Sequence, residues 1–231
     1  SKDMIYNNEY IDITIGDEKR YKKPIGIYWA QILSNKLFSQ EPYTEIIFYR
    51  LPSVVGIALS LFLIFLYFSR IYGRETGFLS IFFLTFSLIT MSEVNQAKTD
   101  GLLLLFITIC NLIVFQSIKT KIRFSIKCAF WLSLALGILI KGPIILIFVF
   151  FPLAVLSLLK RKNYFINLYS FSGLIIFLIT VMPWFILISI KSNGIFWNES
   201  IGHDLLKKVG TSQESHGFYP GYYSLLIFIF F

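Results

Sequence analysis

Apolar residues in this chain fall into long runs separated by short polar connections, and the run lengths predict membrane-spanning helices. A helix rises about 1.5 Å per residue, so a hydrocarbon core about 30 Å thick takes roughly 20 apolar residues. Runs that meet or approach this length lie at about 46–68, 77–91, 101–118 and 164–190. The stretch 128–159 would make a helix about 48 Å long, too long for one crossing. Lys141-Gly142-Pro143 interrupts it, and proline disfavours helix in the residue before it. That stretch therefore reads as two spans around a tight outer turn at Lys141. A last run opens at Tyr223 and reaches Phe231 after about two turns. The pattern predicts an all-α polytopic membrane protein of about six full spans plus a truncated seventh. It is one integral domain: an extracytoplasmic loop over 1–45, a six-span bundle over 46–190, a second outer loop over 191–221 and the start of a further span at 222–231.

Composition agrees with this class. The chain has 231 residues, 56% of them hydrophobic, and its 25 Phe exceed what a soluble core of this size needs. The net charge of +8 invites a nucleic-acid reading, but its placement argues against one. Arg70, Arg74, Lys119, Lys121, Arg123, Lys127, Lys160, Arg161 and Lys162 sit in three short connections opposed only by Glu75, and the other twelve basic and twelve acidic residues cancel. The whole excess is thus an orientation signal that places these connections in the cytoplasm. Cys110 falls mid-span and Cys128 at a cytoplasmic end, so no structural disulfide is expected. The chain opens on Ser1 and stops early in an apolar run, as a fragment of a longer protein would.

Ahead of the first span, Pro24 can start a helix at its first position. Apolar residues then recur at Ile25, Tyr28, Trp29, Ile32, Leu33 and Leu37, the spacing of one helical face, while Gly26, Ala30, Gln31, Ser34 and Asn35 lie on the other side. The run is too broken to span. It predicts an amphipathic helix in the membrane interface, with Lys22 and Lys23 at its entrance. Two readings stand open: a plain anchor, or a place where a lipid-linked phosphate docks against Lys23. Upstream, the alternation from Tyr10 to Ile15 predicts a short strand.

With the basic connections inside, residues 1–45, 92–100, Lys141 and 191–221 gather on the outer face. Asp, Glu, Lys, His and Tyr beside a membrane boundary suit a site acting on a charged head group attached to a lipid. Glu93 and Asp100 are the acids nearest the spans, and a carboxylate there serves as general base, metal ligand or helix cap. Lys141 either neutralises a phosphate or snorkels to water, and Lys98 is expected to be solvated. His203 and His216 lie near carboxylates but lack the i, i+4 spacing of a zinc helix. No metal site is expected, and no cofactor; nothing in the spacing supports a divalent cation. Gly-rich phosphate loops, nucleophile elbows and cysteine clusters are absent from the sequence.

Several short motifs, in order along nearly the whole chain, carry a resemblance. Arg20-Tyr21-Lys22-Lys23-Pro24-Ile25-Gly26-Ile27-Tyr28-Trp29 resembles the K-P-P-L-x-Y-W signature of one glycosyltransferase family. Arg50-Leu51-Pro52-Ser53 looks like its R-L-P-S, Lys98-Thr99-Asp100 its K-T-D element, and Lys141-Gly142-Pro143 its T-K-G-P turn. Gly202-His203-Asp204, Glu214-Ser215-His216-Gly217 and Pro220-Gly221-Tyr222-Tyr223 look like its later outer loop. The family is the bacterial branch of the protein mannosyltransferase/4-amino-4-deoxy-L-arabinose transferase group, multi-span glycosyltransferases of the C-type fold.

By resemblance, such an enzyme sits in the bacterial cytoplasmic (inner) membrane with its active face extracytoplasmic. It takes a sugar from a polyprenyl-phosphate donor and places it on a lipid, glycan or protein acceptor, lipid A among them. The resemblance implies Lys23 at the donor phosphate with Lys141 and Lys208 near it, Asp100 in a supporting catalytic role, and His203 and Tyr219 lining the site. Its partners are the donor, the acceptor and membrane lipids, with no nucleic acid. Two departures stand out. Lys22 occupies the place of the glutamate in the family's frequent E-K-P. The family's catalytic Asp-Glu pair precedes the point where this chain opens, since Asp3 sits too late to match it, so the fragment is expected to be inactive alone. The alternatives are a transporter or lipid flippase without glycosyl transfer, and a structural partner in an envelope complex.

Overall fold

The computed structural model describes residues 1–16 and 18–200, and over these the chain is predominantly helical. Helix α1 (Lys2–Tyr6) leads into a two-stranded antiparallel ribbon, β1 (Thr14–Ile15) and β2 (Glu18–Lys19), with Thr14 opposite Lys19. The strand expected over 10–15 is thus confined to its last two residues. The helices α2 (Gly26–Phe38), α3 (Ile46–Tyr72), α4 (Arg74–Thr85), α5 (Leu88–Val94) and α6 (Asp100–Lys119) follow. The remainder comprises α7 (Phe124–Lys141), α8 (Ile144–Lys160), α9 (Phe165–Leu168), α10 (Phe171–Lys191) and α11 (Ile195–Trp197). Among the described residues α3, α6, α7 and α10 are long and apolar enough to cross a membrane, and α8 is an apolar helix of 17 residues. The run expected from Tyr223 lies outside the described residues.

Two expected spans are broken, both by serine. The run at 77–91 is not one helix: α4 ends at Thr85 and α5 restarts at Leu88, with the Ser87 hydroxyl accepting from the Thr90 amide at 3.3 Å. The run at 164–190 divides into α9 and α10, and the Ser170 hydroxyl accepts from the Gly173 amide at 3.3 Å. A serine oxygen that satisfies an orphan amide lets a new helix begin where hydropathy shows no interruption. The interruption at Gly142-Pro143 is present, with Gly142 at φ +77° ending α7 and Pro143 preceding α8. Helix α7 opens one turn earlier than the apolar run, at Phe124.

Between spans, lipid is as apolar as the partner helix, so close packing replaces hydrophobic burial as the associating force. Helix α3 packs on α2, α4 and α6, and its contact with α6 is made by missing side chains. A Cβ on Gly56 would lie 2.4 Å from the Gly101 carbonyl oxygen, and one on Gly101 would lie 2.5 Å from that of Ser53. The two backbones therefore touch.

Helix α2 shows the same logic. Its small and polar residues Gln31, Ser34 and Asn35 turn inward, whereas Trp29, Leu33, Leu37 and Phe38 are exposed. Gln31 Nε2 donates to the Tyr49 carbonyl at 3.3 Å, and Asn35 Nδ2 donates to the Gln31 carbonyl at 2.9 Å. The apolar stripe read from the sequence is thus split: Ile25 and Ile32 are buried and Tyr28 packs against the core, while Trp29, Leu33 and Leu37 are exposed.

Replacing Gly56 with valine is expected to destabilise the fold by about 2 kcal/mol or more, because the obstructing atoms are backbone and cannot rotate away. Denaturant unfolding of the detergent-solubilised protein measures this; an unchanged midpoint would mean that the α3–α6 contact is loose.

Candidate functional site

The segment before α2 is tied to the ends of α7 and α10. Tyr21 is fully buried, and its hydroxyl donates to Asp12 Oδ1 at 2.7 Å; burial, then Asp12, raises its pKa. Trp184 of α10 donates its indole N–H to the Ile11 carbonyl at 3.1 Å, and Lys191 pairs with Glu9. Met4, Ile13, Tyr21, Ile25, Leu139, Trp184 and Phe196 form one apolar cluster beneath these bonds. Unlike helix contacts in lipid, this cluster gains from water exclusion, about 1.5–3 kcal/mol for each large side chain fully buried.

That anchoring sets two lysine-proline turns side by side. Gly26 begins α2 directly against α7: a Cβ there would lie 2.7 Å from the Leu139 carbonyl oxygen. Pro24 Cγ comes within 4.0 Å of where a Cβ on Gly142 would stand. Lys23-Pro24 and Lys141-Gly142-Pro143 consequently face one cavity of about 1040 Å³.

A third segment completes its polar side. The Ser53 hydroxyl, in the Arg50-Leu51-Pro52-Ser53 motif, donates to the Lys98 carbonyl and fixes the chain just before α6. Asp100 opens α6 and pairs with Lys141, the last residue of α7. Each charge lies at the helix end whose dipole favours it, a carboxylate at an N-terminus and an ammonium at a C-terminus. Asp100 is not the cap: the N-cap position is Thr99, and no side chain caps the helix. Lys98 is not merely solvated either, since it lines the cavity and pairs with Glu93 at 3.4 Å.

The cavity is two-faced. Lys22, Lys23, Lys98 and Lys141 against Asp100 make its polar side positive, while Val181, Met182, Phe185, Ile186 and Ile190 of α10 supply an apolar wall. This geometry suits an amphiphile with an anionic head and a hydrocarbon tail. Of the expected site residues, the structure brings Lys23, Asp100 and Lys141 together; His203, Lys208 and Tyr219 lie outside the described residues. Sequence reasoning missed the α10 wall, and Lys22 as a cavity residue. The signal for Lys22 was its adjacency to Lys23, and the α10 wall has none beyond hydropathy. Among the described residues no three His, Cys, Asp or Glu side chains converge as a metal site.

The sequence signature of dolichyl-phosphate-mannose-protein mannosyltransferases matches residues 22–187, a stretch that holds Lys22, Lys23, Lys98, Asp100 and Lys141. The chain belongs to this mannosyltransferase family. The resemblance drawn from its short motifs is therefore correct. Crystal structures of ArnT from Cupriavidus metallidurans share the fold. The apo state is 17% identical with a TM-score of 0.74, over 86% of this chain and 37% of ArnT. The state bound to undecaprenyl phosphate is 19% identical with a TM-score of 0.77, over 89% of this chain and 38% of ArnT. The chain thus spans well under half the length of that protein. None of the curated proteins matches the sequence.

The Glu9–Lys191 pair ties the segment before α2 to the end of α10, and Lys191 beside it holds the Glu9 carboxyl below its usual range, assisted by the Ile11 and Asp12 amides. A lowered folded-state pKa stabilises above the unfolded value of about 4.3 and loses that contribution as pH falls through the folded value. Between pH 6 and 3 the wild type should therefore lose a small increment of thermal stability that Lys191→Gln has already lost at pH 6. Parallel melting curves for the two proteins would contradict the latch.

Proposed function

We propose that the protein transfers a sugar from a polyprenyl-phosphate donor to a lipid, glycan or protein acceptor at the extracytoplasmic face of a bacterial inner membrane. One observation carries this reading: four lysines and one aspartate border a cavity whose other wall is hydrocarbon-like. In the reaction the bond between the sugar's anomeric carbon and the phosphate oxygen breaks, and the acceptor oxygen bonds to that carbon while its proton passes to a base. The leaving group is a lipid phosphate, so preorganised cations at its oxygen stabilise charge that develops in the transition state. Lys23 and Lys141 take that role, and the motif resemblance adds Lys208 as a further cation and His203 and Tyr219 as substrate contacts. Asp100 acts in support, holding the Lys141 ammonium at the cavity. The site is assigned no cofactor.

In the proposed topology six crossings precede the start of a seventh. The α4–α5 pair forms one return crossing, α8 forms another, and α2 lies in the outer interface with Trp29, Leu33 and Leu37 toward lipid. The cationic connections then face the cytoplasm and the lysine cavity faces outward. Membership of a glycosyltransferase family and the ArnT structure bound to undecaprenyl phosphate support the donor class. A flippase is not favoured, because the charged side chains lie at the ends of the spans, whereas transport sites lie near the midplane.

The test supplies the full-length protein in vesicles with polyprenyl-phosphate sugars and candidate acceptors. Lys23→Ala is expected to lower transfer by about 100-fold or more at unchanged expression, and Asp100→Ala to lower it severely. Donor-phosphate binding that Lys23→Ala leaves intact would overturn the site, and labelled lipid crossing the membrane without glycosylated product would favour the flippase.

A further inference from the structure

Toward the other ends of α7 and α8 lies a second, almost wholly apolar groove of about 330 Å³. Fully buried Phe130 is its floor, and Trp131, Phe150, Phe165 and Leu168 form its walls. The rings brace one another: Phe150 stacks on Phe165 at 5.9 Å, and Phe130 meets Phe150 and Trp131 edge-on at 6.3 and 5.8 Å. Side-chain bonds hold the short α9 in place. Trp131 Nε1 donates to the Leu168 carbonyl at 3.2 Å, and Lys127 Nζ donates to the Tyr169 carbonyl at 3.0 Å. The groove is therefore preformed.

Lys127, bonded to the carbonyl of the lining residue Tyr169, brings a cation to the edge of the groove, and further cations lie close in the chain. Lys127 lies one turn before Phe130 and Trp131 on α7, and exposed Lys160, Arg161 and Lys162 end α8 just before Phe165. From residue 101 through 198 the sequence contains no Asp or Glu, so no carboxylate on α7, α8, α9 or α10 answers these charges. A helix with side chains is about 10–12 Å across, too wide for a slot of this volume, whereas an alkyl chain fits it. An apolar slot with Lys127 at its edge and the 160–162 cations ending three residues before Phe165 in the chain complements one kind of molecule.

We propose that this groove binds an anionic phospholipid, one acyl chain lying along Phe130, Phe150 and Phe165 and the phosphate against Lys127 and the 160–162 cations. Basic pockets between spans on the cytoplasmic side suit such head groups. The site stands apart from the lysine cavity and does not depend on the glycosyl-transfer reading.

Native mass spectrometry of the full-length protein in neutral detergent tests it. The probes are dioleoyl-phosphatidylglycerol and dioleoyl-phosphatidylcholine, which differ only in the head group. One phosphatidylglycerol should be retained with at least about tenfold preference, and the Lys127→Gln/Lys162→Gln double variant should bring that preference down about tenfold. Lys160→Gln/Arg161→Gln, exposed positions, should act in the same direction. Arg70→Gln/Arg74→Gln, on another basic connection, should change nothing, and dihexanoyl-phosphatidylglycerol should not be retained. Equal retention of the two dioleoyl lipids, equal loss in the Arg70/Arg74 variant, or retention of the short-chain lipid would overturn the proposal. So would a protein mass, whether a second copy or another chain, found in place of the lipid.

Discussion

A charge at the end of an apolar helix loses hydration, and a helix end and an opposite charge together offset that loss. Asp100 and Lys141 meet both conditions at once, because α6 begins where α7 ends and their dipoles present complementary ends to the same point. The pair requires the two helices to be antiparallel and level. Much of the surrounding structure serves that requirement. The Gly56–Gly101 backbone contact sets the height of α6, the Ser53 bond to Lys98 sets its approach, and Gly26 on the Leu139 carbonyl brings Lys23 to the same level.

The sequence reading found this site because its parts are chemically conspicuous. Lys23-Pro24, Lys98-Thr99-Asp100 and Lys141-Gly142-Pro143 are charged or helix-breaking residues amid apolar runs, and such interruptions persist only where something compensates them. Their mutual pairing was not legible. Asp100 read equally well as a cap, and Lys98 as a solvated side chain, because capping and pairing use the same residue at the same position and differ only in what lies across the gap. The partner of Asp100 is 41 positions away.

Element lengths were legible only as far as hydropathy determines them. Ser87 and Ser170 divide apolar runs without changing their average hydropathy, since a hydroxyl that satisfies a backbone amide is a local hydrogen-bond event. Periodicity failed at α2 in a more instructive way. The apolar stripe does not act as one face: Ile25 and Ile32 turn inward together with Gln31, Ser34 and Asn35, while Trp29, Leu33 and Leu37 are exposed, so burial does not follow hydropathy around this helix. Gln31 and Asn35 can be buried there because their side-chain amides are bonded to carbonyls.

The cavity itself follows from combining two kinds of packing at one boundary. Helices α3 and α6 approach closely through Gly56 and Gly101, which leaves little free space between them. Residues 1–25 are held by a water-excluding cluster around Tyr21 and Trp184 and by the bond from Trp184 to the Ile11 carbonyl. The space survives where these regimes meet, bounded by lysines from the loop side and by α10 side chains from the lipid side. A pocket formed at such a seam is amphiphilic by construction. Its positive side and its apolar wall come from the segments that meet there.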